Sequence, residues 1–151
     1  MAFVDACGMP GASMYLSGAD DGVAQVPLPF AFRYWTTNFA AGAMISITSN
    51  GAIVMNTAPG ASDRTPLGSP AAPNFVIGPY FRDNLNRGPQ CVVTLGAAPA
   101  RRWVHQWNDA VNCCSLAGMT AVHRVQIQWR GGVGVFPILL CGPHLRPRVS
   151  L

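Results

Sequence analysis

The fold is decided by residues 73–85, which run Pro-Asn-Phe-Val-Ile-Gly-Pro-Tyr-Phe-Arg-Asp-Asn-Leu. Five large apolar residues lie between a Pro-Asn entry and an Asp-Asn exit. A short apolar run bounded by turn-forming residues is typical of a buried β-strand. We therefore expect a core strand here, with the segments on both sides forming further strands of the same sandwich.

Composition points to the same class. The 151 residues suffice for one domain with its own core. All ten basic residues are Arg and all six acids are Asp, so the good helix formers Lys and Glu are missing. Apolar runs are short and broken by Gly, Pro, Asn and Asp. We predict an all-β fold, an antiparallel β-sandwich of roughly eight to ten strands with long loops.

The charge and hydropathy patterns exclude several kinds of partner. The net charge is +4, and no basic cluster exceeds Arg101-Arg102, so we expect no nucleic-acid partner. No apolar run approaches the ~20 residues of a membrane span. The N-terminus lacks the basic region and apolar core of a signal peptide. The chain is therefore expected to be either cytoplasmic or one domain of a longer secreted protein.

The strongest local signal is Asn50-Gly51, which separates the β-rich runs 44–49 and 52–55. Asn-Gly tolerates positive φ at both turn positions, so the pattern predicts a type I′ hairpin. Residues 26–35 alternate apolar residues with two prolines, which predicts an edge strand or an extended approach to one, because proline cannot donate to a central ladder.

Three later segments have strand patterns: 90–95, 102–108 and 121–130. In the second, period-two alternation puts Trp103, His105 and Trp107 on one face, which we expect to face the core. Residues 133–141 are expected to form the closing strand.

These elements predict a simple domain organisation. Residues 1–14 are expected to be an irregular N-terminal segment, 15–141 a single β-sandwich domain, and 142–151 a disordered tail. Residues 56–73 have the composition of a long irregular loop, and such loops are often functional.

The cysteines leave their pairing open, and the disulfide candidates are Cys7, Cys91, Cys113, Cys114 and Cys141. An odd number allows at most two internal bridges and leaves one thiol over. Buried thiols are the alternative to disulfides. Adjacent cysteines are poorly spaced for zinc.

Several motifs match one known pattern in order, and they lie at 26–32, 49–51, 70–85, 95–99 and 101–108. The order resembles a β-sandwich module repeated in large bacterial secreted and cell-surface proteins. It is also distantly similar to the extracellular domain of nidogen. The resemblance covers roughly residues 15–132. It implies a non-enzymatic adhesion, interaction or spacer module of a larger extracellular or cell-surface protein, with a protein or glycan partner.

The chain departs from that module in places. Phe81 stands where the module has Trp, and His105 replaces an aliphatic residue. The match degrades after Gly132, as a truncated gene or a shifted reading frame would cause. A fragment without independent function is therefore an alternative hypothesis, which a comparison of the reading frames downstream of Gly132 would test.

Carboxylates supply the candidate metal site. Asp83 and Asn84 follow the central strand, and with Asp20 or Asp21 they could offer the hard oxygen ligands that calcium takes. Each Asp also lies in a turn, where Asp commonly caps the backbone through its own oxygen. Calcium at Asp20, Asp21 and Asp83 is the only cofactor considered, and Asp109 is a further turn residue.

Other chemistry finds weaker support. His105 and His123 lie at core-facing strand positions without an evident third metal ligand, which favours buried, hydrogen-bonded histidines. Ser115 lacks the Gly-x-Ser-x-Gly context of a nucleophile. A hydrolytic or carbohydrate-active alternative would need two of the candidate carboxylates, or one with His105, to face an open cleft.

The candidate ligand surface comprises Trp35, Asp83, Asn84 and Arg124. An exposed Trp35 could stack on a sugar ring, although an aromatic that closes the core is the simpler interpretation. Arg124 belongs to a polar strand face that could meet acidic glycans, and an ordinary solvated face explains it equally well.

Overall fold

A computed structural model describes residues 3–34, 36–55, 75–112, 123–130 and 138–141, the last two ranges as backbone only. After a short 3-10 helix (Ala6–Gly8), the described strands are β1 (Ser13–Tyr15), β2 (Val23–Pro27), β3 (Phe32–Tyr34), β4 (Thr37–Phe39), β5 (Met44–Thr48), β6 (Ile53–Val54), β7 (Val76–Ile77), β8 (Asn84–Asn86), β9 (Gln90–Leu95), β10 (Arg102–Asn112), β11 (His123–Arg130) and β12 (Ile138–Cys141).

The strands form two main antiparallel sheets. The larger sheet has six strands in the order β1-β9-β10-β11-β12, with β8 also paired to β10, and the smaller has the order β2-β5-β6-β7. β3 and β4 form a separate hairpin. The predicted all-β antiparallel sandwich is confirmed. The edge strand expected over residues 26–35 forms only in part, because the edge strand β2 ends at Pro27 and a separate strand, β3, begins at Phe32. No helix in the described part is long and apolar enough to span a membrane.

One hydrophobic core joins the two main sheets. Ile45, Ile47 and Ile53 come from the smaller sheet, while Trp103 and Trp107 come from the larger. All five are almost completely buried. The alternation in β10 therefore predicted its inner face correctly, because every second side chain of a strand points to the same side.

The stretch 73–85 differs from the expected core strand. Among residues 75–85, Val76–Ile77 pairs with Val54 and Ile53, the chain then turns at Pro79 and Tyr80, and a separate strand, β8, begins at Asn84. Pro79 has no N–H to continue a ladder, and Phe75 enters with a positive φ of 57°. Ile77 and Tyr80 still reach the core. The apolar run predicted burial correctly for Ile77 and Tyr80, whereas Phe75, Val76 and Phe81 are only partly buried, and the strand is shorter than expected.

The Asn-Gly hairpin forms, with a different turn from the predicted type I′. Gly51 has a φ of +77°, whereas Asn50 is absent from the residues with positive φ. Gly51 N donates to Thr48 O at 3.3 Å, and Thr48 N donates to Ala52 O at 2.9 Å. These bonds define a three-residue loop ending in a left-handed glycine, a common hairpin connection. Residues 49–51 are hereafter the hairpin tip.

The N-terminal segment is more regular than expected, since it contains the 3-10 helix and begins β1 at Ser13. A disulfide joins Cys7 to Cys91 in β9. Ala6 N donates to Gln106 Oε1 at 2.8 Å, so the segment is also bonded to β10. These contacts cover a second small apolar cluster, formed by Ala6, Cys91, Val93 and Val104.

We expect Gly51→Ala to destabilise the fold by about 3–5 kcal/mol, because a Cβ would overlap the Tyr80 carbonyl oxygen in addition to straining the backbone. Gly42 is the matched control, since its φ is +80° and its Cβ position has no neighbour within 4 Å. Gly42→Ala should cost only the left-handed strain, about 1–2 kcal/mol. Urea unfolding measures both, and equal losses would contradict the close approach at Gly51.

Candidate metal centre

The hairpin tip holds the first acidic turn through Ser49 and Asn50. Ser49 N donates to Gly22 O, and Gly22 N donates to Ser49 Oγ, both at 2.9 Å. Asn50 Nδ2 donates to Asp21 Oδ1 at 2.8 Å. Asp21 has a φ of +50°, a conformation that Asp tolerates better than most residues. These bonds fix the direction of the Asp21 carboxylate.

The tip also holds the second acidic segment. Asn84 N donates to Asn50 Oδ1 at 2.8 Å, and Arg82 N donates to Asn50 O at 3.1 Å. Asn50 is fully buried between the two segments. Asn50 therefore connects Asp21 to the backbone on either side of Asp83, through its side chain to Asn84 and through its carbonyl oxygen to Arg82.

The consequence is a cluster of three carboxylates, from Asp20, Asp21 and Asp83. One oxygen from each lies within 4.8 Å of the others, and Asp20 is exposed while Asp21 and Asp83 are half-buried. Asp20 also forms an isolated antiparallel bridge with Leu85. Carboxylates this close repel one another and offer hard oxygen ligands to a divalent cation. The structure brings together the three residues that the sequence singled out for calcium.

Asn84 does not share that surface. Its side chain is fully buried, and Nδ2 donates to the Tyr80 carbonyl at 3.2 Å. Its Oδ1 has no hydrogen-bond partner within the described residues. The assignment of Asn84 to a ligand surface is therefore corrected, because the residue supports the turn from inside.

Asp109 lies elsewhere, in a bulge of β10. It has a φ of +57°, and the pairing of β10 with β11 shifts register between Trp107 and Ala110. Its Oδ1 accepts from Arg87 Nη2 at 2.7 Å, in a surface ion pair. Such a pair contributes at most about 1 kcal/mol. Asp109 therefore has a local structural role, in a bulge of β10 instead of the predicted turn.

His105 belongs to a buried polar network between the sheets. Gln90 Nε2 donates to Thr48 O at 2.9 Å, which leaves Gln90 Oε1 to accept from His105 Nε2 at the same distance. The imidazole stacks on Trp107 with ring centroids 3.9 Å apart. Burial lowers the pKa of His105 to about 3, so the ring is neutral. The predicted buried histidine is confirmed, with a glutamine as its partner.

Several predicted residues lie outside the described part. They are Trp35, Cys113, Cys114 and Ser115. Arg124, His123 and Cys141 lie in described strands, but their side chains are outside the description. Arg124 pairs with Cys141 across β11 and β12. Their proposed roles stay predictions.

An open groove of about 260 Å³ lies away from the carboxylates. Its lining includes Tyr15, Pro27, Pro29 and Trp103, and, among the described side chains, none of Asp20, Asp21, Asp83 and Asn84. The three carboxylates and this groove are therefore separate features.

Sequence reasoning missed Asn50 as the residue that organises the candidate site. Asn-Gly was interpreted only as turn chemistry, whereas the side chain makes bonds 29 and 34 residues away. The available signal was the polar Ser-Asn pair at the end of a strongly apolar hairpin. Its partners are non-local and could not be identified from spacing.

Calcium binding at the three carboxylates remains a prediction, and calorimetry tests it. We expect heat on titration with CaCl2 and, at 100 times the Kd, an increase of ~2.7 kcal/mol in the free energy of unfolding. Asp20→Asn and Asp83→Asn should each abolish the response, because each removes a charged ligand. Asp109→Asn is the control and should retain it. Absence of heat and of stabilisation in the unmodified chain would end the proposal.

The buried His105 predicts a loss of stability in acid. The unfolded chain takes up a proton below pH 6.5 that the folded chain excludes down to about 3. The contribution is complete above pH 6.5 and falls by about 1.4 kcal/mol per pH unit below it. His105→Phe should remove this part of the slope in urea unfolding measured between these limits. Equal slopes in the two proteins would contradict the assignment.

The comparisons with known proteins agree with this architecture. A model of the family described as NIDO related matches residues 3–132, a range that includes every strand from β1 to β11. No curated protein and no solved structure matches the chain. The distant nidogen-like resemblance is confirmed, while the bacterial repeated module stays a prediction. The chain belongs to the NIDO-related family.

Proposed function

We propose that the chain is a non-enzymatic interaction or spacer module of a larger secreted or cell-surface protein, with a protein or glycan partner. Its membership in the NIDO-related family supports an extracellular setting. The observation that carries the proposal is the disulfide between Cys7 and Cys91. Disulfides form and persist in oxidising compartments, which include the cell surface and the extracellular space.

The disulfide is part of the fold's architecture. It links residues 84 positions apart, and Cys91 is fully buried in β9. Closing a loop of this length stabilises a folded chain by about 4–5 kcal/mol in the chain-entropy account. The attachment of the N-terminal segment to β9 therefore depends largely on the disulfide between Cys7 and Cys91. This dependence supports a protein that works outside reducing compartments.

Several side chains that could act as acids or bases instead make contacts within the domain. Asp109 pairs with Arg87, Asp21 accepts from Asn50, and His105 is buried on Gln90. A general acid or base must reach a substrate proton. These contacts support a module whose polar residues position loops, and they favour an interaction role over catalysis.

A small carbohydrate-active or hydrolytic domain is the second candidate, because a carboxylate oxygen of Asp20 lies within 4.8 Å of one of Asp83. Retaining glycosidases place two carboxyl groups about 5–5.5 Å apart. Turnover of chromogenic glycosides and esters, lost in both Asp20→Asn and Asp83→Asn, would favour this candidate. Retention of polysaccharide on domain-coated beads without turnover would favour the interaction module.

The test of the main proposal uses the natural protein in its own cells. Thiols are blocked before lysis, and peptides are mapped without reduction. We expect the Cys7–Cys91 linked peptide, and we expect the protein in the medium or accessible to protease on intact cells. Both cysteines blocked as free thiols in a protease-protected fraction would contradict the extracellular proposal.

A further inference from the structure

Asn50-Gly51 forms a turn and is also a dipeptide prone to deamidation. It is the only Asn-Gly pair in the chain. Asparagine is a thermolabile residue, and a following glycine places no side chain in the way of its backbone nitrogen. That nitrogen can attack Cγ of Asn50, so the Cγ–Nδ2 bond breaks and ammonia leaves with the amide proton. Water then opens the cyclic imide and leaves aspartate or isoaspartate at position 50.

The native structure opposes each step of this reaction. The Gly51 N–H donates to Thr48 O at 3.3 Å, so the attacking nitrogen is engaged. Asn50 Nδ2 and Oδ1 are held by Asp21 and by the Asn84 N–H, each at 2.8 Å. Asn50 is 0% exposed, which keeps water from the side chain. Attack would require the side chain to rotate away from both partners.

We propose that Asn50 is a latent deamidation site, protected by the native fold and activated by unfolding, and that its conversion prevents return to the native state. Opening of the hairpin tip frees the Gly51 nitrogen and admits water together. The reaction then proceeds at the rate of an unstructured Asn-Gly pair. The site limits how long an unfolded chain remains able to refold.

The product conflicts with the folded structure for two reasons. A carboxylate at position 50 cannot donate to Asp21, and it would add a buried negative charge beside the cluster of Asp20, Asp21 and Asp83. Isoaspartate adds a methylene to the backbone of a three-residue loop whose Gly51 already abuts Tyr80. Aspartate removes the bond from position 50 to Asp21, and isoaspartate also changes the loop backbone that joins the two acidic segments.

The experiment follows deamidation of the full chain, disulfide intact, at mildly alkaline pH with and without denaturing urea. Peptide mapping quantifies conversion at Asn50 and at Asn38, which is exposed and followed by Phe39 and so serves as an internal control. Asn50 should convert at least about 100-fold faster in urea, because native access requires an opening reaction. Asn38 should change by less than about threefold.

Refolding tests the second half of the proposal. After removal of urea, the folded fraction should decline in step with intact Asn50 and contain no converted chains. Asn50→Asp should show the same refolding defect. Chains converted chemically in urea provide the same test independently of how the variant behaves on expression. Equal conversion of Asn50 in both conditions would overturn the proposal. So would converted chains that refold with an unchanged urea midpoint.

Discussion

The carbonyl oxygen of Thr48 is a buried point at which hydrogen bonds join the two sheets. It accepts from Gly51 in its own hairpin, and from Gln90 and Trp107 in the larger sheet. Apolar packing has no direction, so it cannot by itself set the register of one sheet against another. A buried carbonyl with specific donors supplies that direction. The position of the hairpin tip, and of everything bonded to it, depends on this contact.

The candidate site is a consequence of that placement. Asn50 extends from the tip to Asp21 on one side and to the Asn84 N–H on the other. Its burial makes both bonds costly to lose, since an unsatisfied buried group costs about 1–3 kcal/mol. The hydrogen bonds of the buried Asn50 therefore hold the carboxylates of Asp20, Asp21 and Asp83 close together although they repel one another. A cation at the front of the cluster would relieve repulsion that the hairpin tip imposes.

Local patterns predicted local structure well. Alternation identified the buried face of β10, and Pro27 marks the end of the edge strand β2, although the predicted edge strand over 26–35 is broken before Phe32. The prediction of one core strand over residues 73–85 failed because Gly78 and Pro79 interrupt the apolar run. The residues of the acidic cluster could be proposed from turn chemistry, but their meeting depends on Asn50, whose contacts are non-local. The Cys7–Cys91 pairing likewise follows from the path of the N-terminal segment across β9, which cysteine spacing does not encode.

The hairpin tip and both acidic segments form one unit with the core. Native-state hydrogen exchange of the Asn84 amide, which donates to Asn50 Oδ1, measures this. We predict that Asn84 exchanges with the same free energy of opening as Ile47 in the centre of β5, because both require global unfolding. An Asn84 amide that opens at a cost about 2 kcal/mol or more below Ile47 would contradict it.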